Sequence, residues 1–428
     1  MHTLKSCVQL RCYAKPTEKA CGTPKSCALE LLDVQGPFFM KTTIATAALL
    51  CFASCAQAQA CGGSFSSFLV GVKSEATAKG YAPATVDRFL ANARIDKKVL
   101  KADRSQGVFK LDFTQFAQRV ISASRLSKGK KNRKKYNKTL TDVQRTYGVD
   151  PAVILAFWAL ETDYGAFQGD FNTLNSLLTL SHDCRRPELF RPQILSALEL
   201  YQRGDFSPTK TTGAWAGEIG MVQMLPGDII SHGVDGDGDG HVSLKTSAAD
   251  ALMSGANVIS SHGWRPNQPW LAEITVPQNM DWSKTGLRTS MTVAEWANHG
   301  VKARVKMPNG ALQASVLLPQ GRKGPAFLAL PNFKVYFEWN KSFVYVTTAA
   351  YFATRIGGAP PFIEGNPDPA LSDSQMKSLQ RKLKTLGHDV GKIDGILGAK
   401  TRAAVQAEQI RLGLPADAWP TKSLLGKL

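Results

Sequence analysis

An α-rich α+β fold is predicted for this chain of 428 residues, on three observations. Residues 150–165 form an almost unbroken apolar run opening on Asp150-Pro151, the pattern of a helix buried on every side. Residues 65–147 carry apolar side chains at helical spacing, with Phe65, Phe68, Leu69 and Val72 as one stripe and Val120, Leu126 and Tyr136 spaced more loosely. The segment from about 302 to 355 reads as strand and helix mixed, with Lys334-Val-Tyr336-Phe337 short and β-prone. The length exceeds one ordinary core, so two or three domains are expected. A hydrophobic content of 43% excludes wholesale disorder. The net charge of +18 implies an anionic partner: nucleic acid, an anionic membrane surface or an acidic polymer.

In chain order, residues 1–39 read as an upstream extension, because Met40 opens a second start. Lys41, a short apolar core and Ala-x-Ala pairs reaching Ala60 make 40–60 a secretory signal peptide, which places the mature protein in the periplasm. Its apolar run is shorter than the ~20 residues of a membrane span, and nothing later is long enough. Setting 1–60 aside removes six Lys/Arg and three acids, which leaves +15, so the basic character belongs to the mature chain. Six of the eight cysteines also fall there, and the remaining Cys61 and Cys184 are expected to form one disulfide. Phe52-Ala-Ser-Cys55 offers lipid anchoring as the alternative, although the residue three before such a cysteine is usually aliphatic.

Arg125 to Lys135 is a charge run, read as a solvated helix face or, alternatively, a contact strip for an anionic polymer. No aromatic residue interrupts it, so base stacking has no support. Within the apolar helix, Glu161 follows Ile154, Phe157 and Trp158 by seven, four and three residues and so shares their face. A carboxyl beside aromatic side chains is desolvated, which raises its pKa and suits a general acid. A helix-end salt bridge is the competing reading. Gly165 is expected to end this helix. Leu174–Leu180 and Pro187–Leu200 read as further apolar elements, Trp339–Ser342 as a turn and Tyr345–Ile356 as a closing helix. Residues 356–370 are dense in Gly and Pro and read as a linker. Residues 371–428 have their own apolar periodicity through Met376, Leu379, Leu383 and Leu386, then Ala403, Val405, Ile410, Leu412 and Leu414.

Asp235-Gly-Asp237-Gly-Asp239-Gly240-His241-Val-Ser243 matches the first half of a calcium loop, with oxygen ligands at positions one, three, five and nine and glycine at six. Thr246 stands where a bidentate Glu is expected, and Asp250 can close the site from the next helix; a metal-free Gly/Asp turn is the alternative. His182, His232, His241 and His262 lack the close pairings of a zinc site. No nucleophile elbow or nucleotide loop is present. Asp163, two residues after Glu161, points away on a helix, and Glu218 is the better second carboxyl by position. A single working carboxyl suits an intramolecular reaction that needs no activated water.

Glu161-Thr-Asp-Tyr-Gly165, Trp215-Ala-Gly-x-x-Gly220-x-x-Gln223-x-x-Pro226, the Asp235–Asp239 loop, Ser261-His262-Gly263-Trp264 and Trp339-Asn340-Lys-Ser342-x-x-Tyr345 together resemble the membrane-bound lytic transglycosylase B family. Val99-Leu-x-x-Asp103-Arg-x-Gln106 and Tyr147-Gly148-Val149 extend the resemblance over roughly 61–356. The tail is similar to a peptidoglycan-binding type 1 module, through Leu379-Gln380, Leu386-Gly387, Gly391-x-x-Asp394-Gly395-x-x-Gly398 and Thr401-Arg402-x-Ala404-Val405.

These resemblances imply a lysozyme-like catalytic domain over 61–355, the linker, and a small three-helix peptidoglycan-binding domain over 371–428. They imply cleavage of the bond between N-acetylmuramic acid and N-acetylglucosamine in peptidoglycan, releasing a 1,6-anhydro sugar. By position, Glu161 is the catalytic acid/base. Gln223, Asn340, Trp215 and Tyr345 are substrate contacts, and Asp235, Asp237, Asp239 and Asp250 hold a structural Ca²⁺ or Na⁺; no cofactor is required for the chemistry. The partner is the glycan strand rather than nucleic acid, and the protein acts as a monomer. Departures are Ala214 for Ser, Glu218 for Ala, Pro226-Gly227-Asp228 for Pro-Ser-Ser, Glu408 for Phe and Asp417-Ala418 for Asp-Gly, with one extra residue before Asp250. A hydrolytic muramidase, which needs a second carboxylate, and a non-catalytic wall-binding or scaffold protein are the competing readings.

Overall fold

The computed structural model describes residues 61–105 and 111–428; the extension, the signal peptide, the Cys55 lipidation site and Gln106 lie outside them. The first helices are α1 (Phe65–Ala78), α2 (Pro83–Leu90), α3 (Lys97–Arg104), α4 (Phe113–Val120), α5 (Ala123–Lys135) and α6 (Asn137–Tyr147), all within the stretch that the periodicity reads as helical. Of the first stripe, Phe68 and Val72 are buried. Cys61 is joined to Cys184 with Cα atoms 5.2 Å apart, and the Gly62 amide donates to the His182 carbonyl beside it. Next to that bridge, buried Asp103 pairs with Arg185 and Arg186.

The centre of the main core is α7 (Pro151–Thr162), buried at all twelve positions. Asp150 accepts from the Ala152 amide and Pro151 opens the first turn, so the N-terminus forms as its residues dictate. The helix ends earlier than expected: Asp163, Tyr164 and Gly165 all have positive φ (51°, 63° and 86°), so the left-handed cap is Asp163 rather than Gly165. Around α7 pack α5, α6, α11 (Ala248–Ser261) and α14 (Phe343–Ile356). Between α7 and α11 lie β1 (Phe171–Asn172), α8 (Thr173–His182), α9 (Pro187–Arg203), β2 (Thr212–Gly213) and α10 (Pro226–His232). The indole N–H of Trp264 donates to the Gly148 carbonyl, tying the segment after α11 to the entrance of α7.

A five-stranded antiparallel sheet holds the second core. Its strands are β3 (Leu271–Thr275), β4 (Met291–Thr292), β5 (Lys302–Ala303), β6 (Gln313–Leu317) and β7 (Ala326–Ala329), in the order β4-β6-β7-β3-β5, with α12 (Val293–Asn298) after β4. Lys334–Phe337, expected as β-prone, lies instead in α13 (Pro331–Trp339). Pro331 starts that helix, and the three-residue spacing of Phe333 and Tyr336 puts both in the main core. Packing therefore overrides the strand preference of aromatic and β-branched residues.

Residues 357–372 contain no helix or strand yet are laid against the body. Phe362 packs with Phe113 and Tyr351, and the Asn366 amide donates to the Lys323 carbonyl. The tail folds as α15 (Asp373–Thr385), α16 (Ala399–Arg411) and α17 (Lys422–Lys427) around Met376, Leu379, Leu383, Val405 and Leu424. Leu386 and Ile410, expected in this core, are exposed, because each falls at a helix end turned away from the neighbouring helices.

Candidate active site

Glu161 sits one residue before the end of α7 and is buried. Its Oε1 accepts two hydrogen bonds from uncharged donors, the Trp339 indole N–H at 2.7 Å and the Tyr345 hydroxyl at 2.8 Å. Trp339 is the last residue of α13 and Tyr345 stands in the first turn of α14, so the bend between these helices delivers both donors. Phe157, one turn back on α7, stacks on Trp339 with ring centres 4.3 Å apart and fixes the indole plane. Trp158 faces elsewhere, against Tyr136 and Tyr164. The aromatic surround expected from α7 itself is thus supplied largely by α13 and α14. Trp339 is the partner of Glu161 that sequence reasoning missed; its signal was its place in the Trp339–Tyr345 motif.

Asn340 and Tyr345 belong to the same bend. Asn340 Oδ1 accepts from the Ser342 amide, and Ser342 Oγ caps α14 by accepting from the Tyr345 amide. Tyr345, expected to contact substrate, donates to Glu161 itself. Gln223 lies in a tight hairpin closed by paired bonds between Ile219 and Met224. Its φ of 53° is left-handed, and its Nε2 donates to the Gly220 carbonyl at 2.7 Å. A buried non-glycine residue held in that region marks a locally strained backbone. The hairpin is attached to α7 where Thr162 Oγ1 donates to the Met221 carbonyl at 2.6 Å. Trp215 is buried in the main core within the preceding glycine-rich segment.

Asp163 turns away as expected, accepting from Arg125 Nε at 3.2 Å and Lys128 Nζ at 2.8 Å. This clasp anchors the basic helix α5, and Gly129 allows its close approach, since a Cβ there would lie 2.6 Å from the Tyr164 hydroxyl. Glu218 is buried, and its carbonyl accepts the Ala214 amide.

Asp235, Asp237 and Asp250 bring carboxylate oxygens within 4.8 Å of one another. Asp239 does not join them: its side chain turns back to accept the His241 amide, because an Asx turn satisfies it locally. The extra residue before Asp250 does not remove it from the group. Asp235 accepts the Gly240, Gly238 and Asp239 amides, and these bonds hold its carboxyl below the usual range. Three converging carboxylates are a hard-oxygen donor set, which fits a calcium-type cation. His182 packs against Phe65 and Phe68, and His241 bonds Asp205; neither joins a metal group among the described residues.

The transglycosylase SLT domain model matches residues 64–354, and the peptidoglycan binding domain model matches residues 372–428. The chain is 26% identical over 234 residues to membrane-bound lytic murein transglycosylase B of Escherichia coli strain K12, which covers 54% of this chain and 63% of that protein. The match thus spans less than two thirds of that relative's length. Two crystal structures of SltB3 from Pseudomonas aeruginosa, in complex with NAG-anhNAM-pentapeptide and with NAG-NAM-pentapeptide, are each similar with TM-score 0.78 at 36% identity. The match covers 86% of this chain in both cases, and 99% and 100% of the SltB3 chains. Escherichia coli Slt35, solved in complex with calcium, shares the fold with TM-score 0.60 at 24% identity, over 69% of this chain and 95% of that one. The chain therefore belongs to the transglycosylase SLT domain family, lytic transglycosylases acting on peptidoglycan glycosidic bonds, and carries a peptidoglycan-binding domain at its C-terminus.

Proposed function

We propose that this protein cleaves the β-1,4 bond between N-acetylmuramic acid and N-acetylglucosamine in peptidoglycan, with Glu161 as its single acid/base. The observation that carries the reading is the buried carboxyl of Glu161, with Oε1 held by Trp339 and Tyr345. An indole N–H can only donate, so Oε1 stays an acceptor and the acid proton belongs on Oε2. Glu161 gives that proton to the glycosidic oxygen as the bond to the muramoyl anomeric carbon breaks. The resulting carboxylate takes the proton of the muramoyl 6-hydroxyl, whose oxygen bonds to the same carbon. The acid is regenerated, and the two products together hold the atoms of the substrate, with no water consumed.

Gln223, Asn340 and Trp215 are assigned to the substrate, and Tyr345 to holding the acid, with a substrate contact as its second role. Asp235, Asp237 and Asp250 would hold a structural Ca²⁺ or Na⁺ that takes no part in the chemistry. Peptidoglycan strands are the partner in place of nucleic acid, the protein works as a monomer, and the periplasm is its compartment. The membrane-bound relative keeps lipid anchoring as an alternative. No helix among the described residues is long and apolar enough to cross a membrane.

Mass spectrometry of peptidoglycan digested by residues 61–428 tests this. Products ending in anhydro-muramic acid, lighter by one water than hydrolysed ones and absent with Glu161→Gln, are expected. Reducing ends would instead make the protein a muramidase, and no products from either form would leave a wall binder.

A further inference from the structure

The C-terminal domain meets the catalytic body through a buried cation. Arg402, on α16, donates from Nη2 to the Pro319 carbonyl at 2.6 Å, in the loop that follows β6. Its guanidinium carbon lies 4.5 Å from the centre of the Phe343 ring and 5.8 Å from that of Trp419. Burial pushes Arg402 down to about 9, so it stays charged at neutral pH, and the cation–π and carbonyl contacts offset its desolvation. Neighbouring bonds fasten the same joint. Gln406 Nε2 donates to the Trp282 and Thr285 carbonyls, and Arg322 pairs with Asp417 at 3.1 Å. Gly321, with φ of 76°, admits Trp419, whose Cβ would lie 2.7 Å from an added Cβ.

Phe343 is the first residue of α14, one position after the Ser342 cap and two before Tyr345. A shift of its ring moves the turn that carries the Tyr345 hydroxyl. Contacts therefore run from Arg402 to Phe343, along one helical turn to Tyr345, and from there to Glu161. Arg402 belongs to the module's own Thr401-Arg402 motif, and in this chain its guanidinium is turned onto the Phe343 ring of the body. An apolar side chain of similar length would pack there at less cost.

We infer that Arg402 is a positioning residue for the acid: by holding Phe343 it fixes the first turn of α14, so the peptidoglycan-binding domain completes the catalytic unit as well as tethering it. This rests on the reading of Glu161 as the acid.

The test uses residues 61–428 and a soluble glycan tetrasaccharide, measuring kcat, KM and thermal midpoint. Arg402→Met should fold with nearly unchanged stability, yet lose about tenfold to a hundredfold in kcat with KM little moved. Arg402→Lys keeps the charge over the ring and should recover part of the loss. In a Tyr345→Phe background, Arg402→Met should cost little further, because its effect passes through that hydroxyl. Phe343→Leu should reproduce the loss, and it carries the same cycle if Arg402→Met does not fold. Full kcat in Arg402→Met, or a loss that persists undiminished beside Tyr345→Phe, overturns the proposal. An active Glu161→Gln protein would sink the underlying reading; an inactive one beside a fully active Arg402→Met sinks only this inference.

Discussion

Glu161 Oε1 accepts the indole N–H of Trp339 at 2.7 Å, a bond that joins residues 178 positions apart in the chain. It fixes the Glu161 carboxyl from a helix that local sequence preference reads as partly strand. The Tyr345 bond converges on the same oxygen, so the carboxyl is oriented from two directions.

Removing the acid while keeping its shape is the first expectation. Glu161→Gln should lower turnover by about a hundredfold to ten-thousandfold, the span of general acid–base catalysis. Circular dichroism and the thermal midpoint should match the unmodified protein; a variant that still releases anhydro ends would remove Glu161 from the chemistry.

Each donor should matter separately. Trp339→Phe and Tyr345→Phe each delete one bond to a carboxyl, worth about 1.5–3 kcal/mol, or roughly tenfold to a hundredfold in kcat. Turnover on soluble glycan checks this, and undiminished rates for both would show that the clamp is structural only.

The Cys61–Cys184 bridge closes a loop with a sequence separation of 123. Its loss in a Cys61→Ser/Cys184→Ser protein should cost about 2–5 kcal/mol. Denaturant titration with and without reductant measures it, and the double variant should no longer respond to reductant.

The acidic loop should respond to metal. Calcium at about a hundred times its Kd should add about 2.7 kcal/mol to folding, seen as a raised thermal midpoint. Asp237→Asn with Asp250→Asn should abolish the rise; a rise that survives would place the cation elsewhere.

Glu408, which stands where the related modules have Phe, is buried and accepts from Arg411 and His388. The Arg411 bond is the main cause that holds its carboxyl below the usual 4.5. Its stabilisation is complete above about pH 4.5 and is lost as pH falls through the depressed folded value. Thermal midpoints between pH 5 and pH 3, compared with Glu408→Gln, should converge as the pH drops; parallel curves would contradict this.

Much of the architecture was legible locally. Apolar spacing marked 65–147 as helical without dividing it into its six helices, and it placed α8 and α9 near their observed positions; the Asp150-Pro151 start fixed the beginning of α7, because helix caps are made between near neighbours in the chain. Lys334–Phe337 was misread because a short aromatic segment carries no period that separates strand from buried helix. In the site, Glu161 and Tyr345 were legible as motif positions. Trp339 and Arg402 were legible only as members of their motifs; that one donates to Glu161 and the other lies over Phe343 was not, since both contacts join segments far apart in the chain.

The sequence by itself determined the buried helix with its one carboxyl, the two cysteines left for a bridge, the acidic loop and the basic tail-bearing chain. These follow from residue chemistry acting within a few positions or from counting. Only the tertiary structure decided which oxygen of Glu161 is held and by what, that Asp239 leaves the acidic group, and that the tail is docked by Arg402. The first and last depend on side chains from distant segments meeting within the same few ångströms, which no local preference encodes; Asp239 leaves because a local Asx turn to the His241 amide competes with the cluster formed by Asp235, Asp237 and Asp250.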